Sequence, residues 1–303
     1  MGAGIAQNFA QGGLNVKVSA RHQETLDKAL VIIEANLKLF DEFKLLDEPV
    51  AAIMARIQPV LAAELPGHLA TTDFILETIP EVMDAKRETF AMLDKAPADV
   101  VIASNTGSFT VSELCEGMQT PARVVGAHYF NPPHIIPAVE VHTGKQTDPA
   151  AVEVCIGLLT KVGKKPVRVR QEVPGFIVNR LTGALEREID YLLDNGVVTP
   201  EDLDVAVMSS IGFRFACLGP MEIEDMIGLD TACRVAGRVF PGLSNAAVPS
   251  PELVKKVEKG ELGIKAGKGW FDYTGKTTTE VNDEKNRRLL PQLVMFMQRE
   301  KGK

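Results

Sequence analysis

Short apolar runs alternate with longer amphipathic stretches over the first two thirds of the chain. Runs such as DVVIAS and RVVGAH are almost continuously apolar, which is typical of strands buried on both faces. The predicted strands are residues 14–19, 73–78, 99–104 and 123–128, with 138–141 and 167–170 as candidates to extend the sheet. Helices are predicted over 24–56, interrupted near Pro49, and over 149–162. This alternation predicts an α/β fold with a mostly parallel sheet covered by helices.

The pattern changes after Pro174, where apolar residues begin to recur every three or four positions. This helical spacing starts at Phe176 and stops before an Asn-Gly pair, which has the composition of a helix end. Thr199 and Pro200 have the composition of a helix start. Further helices are predicted over residues 221–238, 251–259 and 282–299, the last of them kinked at Pro291. The second part of the chain is therefore predicted to be all-helical.

Length and composition agree with a folded protein of two domains. The chain has 303 residues, which is more than one hydrophobic core usually organises. Its 45% apolar and 24% charged residues are ordinary values for globular proteins. We place the boundary so that the α/β domain covers residues 1–172 and the helical domain covers 173–303.

Charge, cysteine spacing and hydropathy argue against several classes of protein. The chain has 33 Lys and Arg against 40 Asp and Glu, a net charge of −7, whereas nucleic-acid binders depend on excess positive charge. No apolar run approaches the roughly 20 residues that span a bilayer, and no secretory signal is visible. The four cysteines are far apart, unlike those of a zinc site or a disulfide framework. We expect a cytoplasmic protein that binds no metal, nucleic acid or membrane and acts on a small molecule.

The first residues, MGAGIAQ, have the composition of a helix that begins close to a ligand. Small residues such as Gly2 let a phosphate group reach the N–H groups at the positive end of a helix. The strand at 14–19 then follows where a dinucleotide-binding unit has its second strand. It leads into Ala20 and Arg21, where an acidic residue would bind the ribose of NAD. Arg21 either binds the 2′-phosphate of NADP or contacts nothing, so NAD and NADP both stay open.

His128 and Glu140 are the strongest candidates for catalysis. The predicted strand RVVGAH ends at His128, and ligands bind beyond the carboxyl ends of strands in open α/β sheets. Glu140 lies between two valines, an unfavourable place for a carboxylate without a partner. A glutamate beside a histidine holds the ring and favours its protonated form, which suits a general acid or base. A purely structural histidine is the alternative.

Two further polar segments are candidates for the same site. The segment SNTGS, residues 104–108, follows a predicted buried strand and offers polar groups at the same sheet edge. The segment PGFIVNR opens the first helix of the second domain and places Asn179 one turn into it. The alternative for Asn179 is a side chain that faces solvent.

Seven ordered motifs resemble the 3-hydroxyacyl-CoA dehydrogenase family and cover nearly the whole chain: GAGIAQ, SNTGS, GAHYFNPP, VEV, VPGFIVNRL, LGPMEIEDMIGLDT and GIKAGKGWFDY. The resemblance implies a Rossmann-like NAD(P)-binding domain followed by a helical domain through which two chains dimerise. It implies His128 as the catalytic acid/base, Glu140 as the residue that orients it, and Asn179 as a contact of the reacting group. The implied reaction moves a hydride reversibly between NAD(P) and C3 of an L-3-hydroxyacyl-CoA similar to 3-hydroxybutyryl-CoA.

The resemblance also implies residues that bind the cofactor and the substrate. Those expected to bind the cofactor are Gly2, Ala20, Arg21, Glu81, Lys86 and Asn105. Those expected to bind the substrate are Gly107, Ser108 and Asn131.

Two departures from the family put the substrate in question. Gly107 stands where the family has serine, and on an extended chain the neighbouring Ser108 points the other way. We therefore expect a slower enzyme or a different substrate. The segment NPPHIIPAVEV is more similar to the carnitine dehydrogenase and lambda-crystallin branch. A dehydrogenase of carnitine or of a free 3-hydroxy acid is the alternative.

A third departure concerns the N-terminus. The family's first strand and the first two glycines of its cofactor motif are expected before Met1. Without that strand, the strands at 14–19 and 73–78 would each lack one row of hydrogen-bond partners. We expect either a start assigned at an internal methionine or a shortened form that binds NAD(P) weakly. A non-catalytic structural relative is therefore a further alternative.

Overall fold

The computed structural model describes residues 1–302. The strands are β1 Val16–Ala20, β2 Ile57–Leu61, β3 Phe74–Glu77, β4 Val101–Ser104, β5 Val124–Tyr129, β6 Ala138–Thr143 and β7 Lys165–Val169. The helices of the first half are α1 Gly2–Gln11, α2 Gln23–Glu42, α3 Val50–Met54, α4 Met83–Leu93, α5 Val111–Leu114 and α6 Pro149–Lys161. The later helices are α7 Val178–Asp194, α8 Pro200–Ser209, α9 Ile211–Phe215, α10 Pro220–Ile227, α11 Leu229–Val239, α12 Pro251–Glu258 and α13 Thr278–Lys301. Short 3-10 helices lie at Leu65–Thr71, Pro121–Arg123, Phe240–Gly242 and Ile264–Ala266.

The strands form two sheets. β1 and β2 pair in parallel, and the larger sheet has the order β3-β4-β5-β6-β7. Only β5 and β6 are antiparallel neighbours in the described chain, so the predicted mostly parallel α/β sheet is confirmed. Within residues 1–302, β1 and β3 are each paired along one edge only, as expected for these two strands. Because β3, β4 and β5 are parallel, their carboxyl ends meet at one edge, where ligands bind in such sheets.

Helices cover both faces of the larger sheet. On one face α1 and α6 pack against the strands, and the cluster there includes Phe9 and Leu159. On the other face α4 and α5 form a cluster that includes Phe90 and Leu114. Every residue of β4 and β5 is buried, because a strand covered on both faces leaves neither row of side chains exposed.

The chain divides by its contacts into two compact units, which are described separately. The first comprises Met1–Asn179 and the chain from Asn286 onward, and the second is Arg180–Lys285. The end of α13 belongs to the first unit because Leu290 is fully buried in a cluster with residues of α2. The domain boundary at 172/173 stays a prediction.

The second unit is helical, as expected. Thr199 caps α8, because its hydroxyl oxygen accepts a hydrogen bond from the Asp202 N–H. The helix predicted over 221–238 is two helices, α10 and α11, separated at Gly228, whose φ is +94°. A residue with this left-handed φ interrupts a right-handed helix. α13 continues as one helix through Pro291.

The helices of the second unit leave their apolar side chains exposed. In the described chain, none of α7 to α12 contains a buried residue. Phe213 is 74% exposed, and Met226, Leu229 and Phe240 are each more than 60% exposed. No single helix among residues 1–302 is long and apolar enough to cross a bilayer. One bent pair, Pro200–Phe215 with Pro220–Ile227 at 91°, has the necessary length and composition when its halves are taken together.

Candidate active site

His128 and Glu140 face each other across neighbouring strands. The antiparallel register of β5 and β6 places the two residues directly opposite. Such residues project from the same face of a sheet with their side chains in contact. His128 Nδ1 lies 2.9 Å from Glu140 Oε2. Both side chains are buried, with exposed fractions of 8% and 1%, so the structure brings the two residues together at the end of β5.

A turn before α7 binds the other oxygen of Glu140. Gly175 and Phe176 have left-handed φ values of +77° and +49°. The N–H groups of the next two residues, Ile177 and Val178, both donate to Glu140 Oε1, at 2.9 Å and 2.8 Å. Burial raises the pKa of Glu140, but the bonds from His128 and from these N–H groups outweigh it and lower the pKa. The carboxylate is therefore ionised at neutral pH.

Gly107 and Asn179 border the second ring nitrogen of His128. Because Nδ1 is bonded to Glu140, Nε2 is the nitrogen left for a substrate. A Cβ on Gly107 would lie only 2.9 Å from this Nε2, so the glycine backbone lies directly beside it. Asn179 Nδ2 donates to the carbonyl oxygen of Gly107 at 3.2 Å. The structure therefore gathers the catalytic candidates and Gly107 around one imidazole ring.

An ionic network supports the turn at Gly107. Glu81 accepts hydrogen bonds from the Gly107 N–H at 2.8 Å and from Thr106 Oγ1 at 3.1 Å. Lys86 is fully buried, and its ammonium donates to both carboxylate oxygens of Glu77 at 3.0 Å. The same ammonium lies 3.7 Å from Glu81. Lys86 thus supports the residues that hold the turn, and a direct contact between Lys86 and the cofactor stays a prediction.

Glu77 is a member of the site that the sequence analysis missed. It is the last residue of β3 and only 4% exposed. Besides the Lys86 bonds, it accepts hydrogen bonds from Ser104 Oγ and the Ile79 N–H, each at 2.6 Å. The segment DFILET could have revealed it, because Glu77 is a carboxylate at the end of an apolar strand. Glu140 was identified by the same kind of argument, as a carboxylate within an apolar strand.

Three other expected residues lie near the same sheet edge. Asn105 Oδ1 accepts the N–H of Tyr129 at 2.9 Å, which connects the residues after β4 and at the end of β5. Ser108 is exposed, and its N–H donates to Thr106 Oγ1 at 3.4 Å. Asn131 is exposed in the segment after β5. The contacts of these residues with cofactor or substrate stay predictions.

The expected phosphate-binding residues lie at the ends of α1 and β1. α1 begins at Gly2 with no side-chain cap and no acidic residue in its first turn, so its first N–H groups suit an anion. A Cβ on Gly2 would lie 3.0 Å from Thr78 Oγ1, and a Cβ on Gly4 would lie 2.8 Å from Pro133. Ala20 ends β1, and the following residue, Arg21, is exposed.

Comparison with known proteins decides the family. Residues 1–173 match the NAD binding domain of 3-hydroxyacyl-CoA dehydrogenase, and residues 175–273 match its C-terminal domain. The chain belongs to the 3-hydroxyacyl-CoA dehydrogenase family. The expected resemblance is therefore confirmed, together with a Rossmann-like NAD-binding domain followed by a helical C-terminal domain.

Several relatives of this family member have different names. A 5-formyl-3-hydroxy-2-methylpyridine 4-carboxylate 5-dehydrogenase of Mesorhizobium japonicum is 33% identical over 291 residues, covering 96% of this chain and 93% of the relative. A 3-hydroxybutyryl-CoA dehydrogenase of Clostridioides difficile is 31% identical over 276 residues, covering 90% and 96%. Lambda-crystallin of Oryctolagus cuniculus is 33% identical over 288 residues, covering 90% of each chain.

A solved structure supports the same assignment. The crystal structure of a 5-formyl-3-hydroxy-2-methylpyridine 4-carboxylic acid 5-dehydrogenase, described as an NAD⁺-dependent dismutase, matches with a TM-score of 0.87. The two chains are 31% identical, and the match covers 97% of this chain and 94% of the other. The residues present also fit the NAD(P) of this family, because the uncapped start of α1 and its small residues suit a phosphate group.

Proposed function

We propose that this family member interconverts the 3-hydroxyl and 3-oxo groups of an L-3-hydroxyacyl-CoA similar to 3-hydroxybutyryl-CoA. The observation that carries the proposal is the bond between His128 Nδ1 and the buried Glu140 carboxylate, which leaves Nε2 for the substrate. When bound, the cofactor supplies the nicotinamide that accepts or returns a hydride. The residues we expect to hold it are Gly2, Ala20, Arg21, Glu81, Lys86 and Asn105.

His128 moves the proton in this proposal. During oxidation, Nε2 removes the proton of the substrate hydroxyl while Nδ1 donates to Glu140. The imidazolium that forms is stabilised by a carboxylate 2.9 Å away in a buried site, where charges attract more strongly than in water. During reduction, the imidazolium returns the proton to the substrate oxygen. We expect the Asn179 amide to contact the same oxygen, and Ser108 and Asn131 to contact the rest of the substrate.

A second candidate is a dehydrogenase of a compound without CoA, such as a free 3-hydroxy acid or carnitine. Gly107 favours it, because this residue offers no hydroxyl beside His128 Nε2, whereas the resemblance to the family implies a serine there. The Mesorhizobium relative, which is named for a pyridine carboxylate, agrees with a substrate of this kind.

We propose that a second copy of this chain covers the helices of the second unit. Large apolar side chains of this unit are exposed, among them Phe213, Met226, Leu229 and Phe240. Exposed apolar side chains in such number mark a surface that binds a partner. A helix with an apolar face needs a partner to bury it, and the resemblance to the family implies a homodimer through this part of the chain.

A substrate and cofactor panel tests the activity. Wild-type protein and His128→Ala are assayed for reduction of acetoacetyl-CoA and for oxidation of carnitine and free 3-hydroxy acids, with both nicotinamide cofactors. We expect activity on one substrate class, reduced about 10²- to 10⁴-fold in His128→Ala because the acid/base group is lost. His68→Ala, which changes a partly exposed histidine outside the site, is the matched control and should retain activity.

The pattern of activity separates the candidates. Acetoacetyl-CoA reduction supports the first proposal, and turnover of the free acids alone supports the second. Absence of turnover in both proteins supports the non-catalytic relative. Arg21→Ala tests the cofactor preference: a loss of NADPH use without loss of NADH use assigns the 2′-phosphate to Arg21.

A further inference from the structure

His142 is a second buried histidine close to the catalytic pair. It lies two residues after Glu140 on β6, so the two side chains project from the same face. It is 0% exposed and lies opposite Gly126 of β5. A Cβ on Gly126 would overlap the imidazole ring, so the glycine provides the space that the ring occupies.

The ring of His142 acts as a neutral, flat group. Neither of its nitrogens has a hydrogen-bond partner within residues 1–302. Burial, together with the nearby His128, lowers the pKa of His142 to about 4, while Glu140 opposes the shift. A group that is uncharged at neutral pH and forms no hydrogen bonds contributes to the structure through its shape and packing.

The face of this ring packs on Phe176. The two ring centroids are 3.8 Å apart and the planes are 26° from parallel. Phe176 is 1% exposed and adopts a left-handed φ of +49°. A bulky residue in that region is strained and persists only where its surroundings hold it. The centroid of the Phe176 ring also lies 5.9 Å from the centroid of the His128 ring, so Phe176 packs against both histidines.

We propose that His142 is a positioning residue for the His128–Glu140 pair, acting through Phe176. The stacked ring holds Phe176 in its left-handed conformation. The two residues after Phe176 then donate their N–H groups to Glu140 Oε1, which leaves Oε2 for His128 Nδ1. The inference depends on the proposed function only where enzymatic activity is measured, because the geometry of the pair can be followed without activity, through the titration of His128.

Three variants test the proposal. His142→Ala removes the ring, and His142→Phe keeps a flat ring without nitrogens. Leu159→Ala removes a buried side chain on the opposite face of the sheet and is the matched control for loss of packing. Should His142→Ala fail to fold, His142→Leu replaces it, since leucine fills the space without a flat ring.

The main readout is the titration of the His128 imidazole followed by NMR. We expect His142→Ala to move its midpoint to lower pH by about half a unit or more, because a poorly held carboxylate stabilises the imidazolium less. His142→Phe and Leu159→Ala should leave the midpoint unchanged. With an active substrate, the acid limb of the kcat/KM profile should move in parallel, and kcat should fall about tenfold in His142→Ala only.

Two results would overturn the proposal. One is an unchanged His128 titration in His142→Ala or its leucine substitute. The other is a shift of similar size in one of the two control variants. In His142→Phe it would mean that an imidazole nitrogen is needed, and in Leu159→Ala it would mean that any loss of core packing has the same effect. If no substrate is turned over but the titration behaves as expected, the positioning role stands and the proposed activity fails.

Discussion

The two compact units of this protein differ in how they bury apolar surface. The first unit encloses its larger sheet between helices, and both faces of β4 and β5 are buried. The second unit consists of helices among which, in the described chain, α7 to α12 contain no buried residue. The first unit therefore has a core of its own, whereas α7 to α12 leave apolar side chains exposed.

The candidate active site and the exposed apolar helices lie in different parts of the chain. His128, Glu140, Gly107 and Asn179 all belong to the first unit. These residues are held by packing and hydrogen bonds within that unit. Stability of the second unit, by contrast, should rise with concentration if a second copy covers it.

The largest effect is expected for the buried ion pair of the first unit. Lys86→Met leaves Glu77 without its cation in a site where both side chains are 1% exposed. Loss of one partner from a buried pair typically costs about 3–5 kcal/mol, so we expect a large fall in the free energy of unfolding.

The neighbouring residue provides the control for this change. Arg87 lies on the same helix as Lys86 and pairs with Glu116 at the surface. Arg87→Met breaks this exposed pair and should cost at most about 1 kcal/mol. Chemical denaturation of both variants measures the difference. An equal loss of unfolding free energy in the two variants would show that burial does not increase the contribution of the Lys86 pair to stability.

A pH-dependent effect of about 3 kcal/mol or less is expected at His142. Its pKa is about 4 in the folded chain and 6.5 ordinarily. Between these values the unfolded chain binds a proton that the folded chain does not, so stability falls as the pH drops from about 6.5 to 4. His142→Phe should flatten the curve of unfolding free energy against pH in that window. An unaltered curve would contradict the expectation.

A smaller effect, about 2 kcal/mol, is expected in the second unit. Phe213→Asp places a charge where we propose that the second copy packs, and buried aromatic residues dominate such interfaces. Analytical ultracentrifugation should show weaker self-association. Val31→Asp alters a residue of the first unit that is 68% exposed and is the control. A Phe213→Asp protein that associates like wild type would remove the main support for the dimer.

The smallest effect, about tenfold in kcat, is expected at Gly107. The absent hydroxyl alone suggests that serine would improve activity, but its Cβ would lie 2.9 Å from His128 Nε2. Contacts this close displace the neighbouring group, so we expect Gly107→Ser and Gly107→Ala to be slower than wild type. Steady-state kinetics of both variants separate crowding from the hydroxyl. Faster turnover by the serine variant would show that the backbone at residue 107 moves to make room for the side chain.

Much of the fold followed from local patterns in the sequence. The continuous apolar runs predicted the buried strands, because a strand covered on both faces has no polar row. β2 was missed because its sequence, IQPVL, breaks the apolar run with Gln58 and Pro59. The division of α10 from α11 depends on the left-handed conformation of Gly228, which composition alone does not specify.

The candidate site was predictable where chemistry conflicted with its surroundings. Glu140 was identified because a carboxylate between valines needs a partner, and the same argument applied to the strand end would have found Glu77. The stack of His142 on Phe176 was not accessible in this way. It joins residues 34 positions apart, and only the packed structure brings them together.

The close approach of the His142 ring to Gly126 has an evolutionary consequence. Position 126 is not free to change by itself, since any side chain there would collide with an imidazole at 142. In homologous sequences, a residue larger than glycine at position 126 should therefore be accompanied by a residue smaller than histidine at position 142.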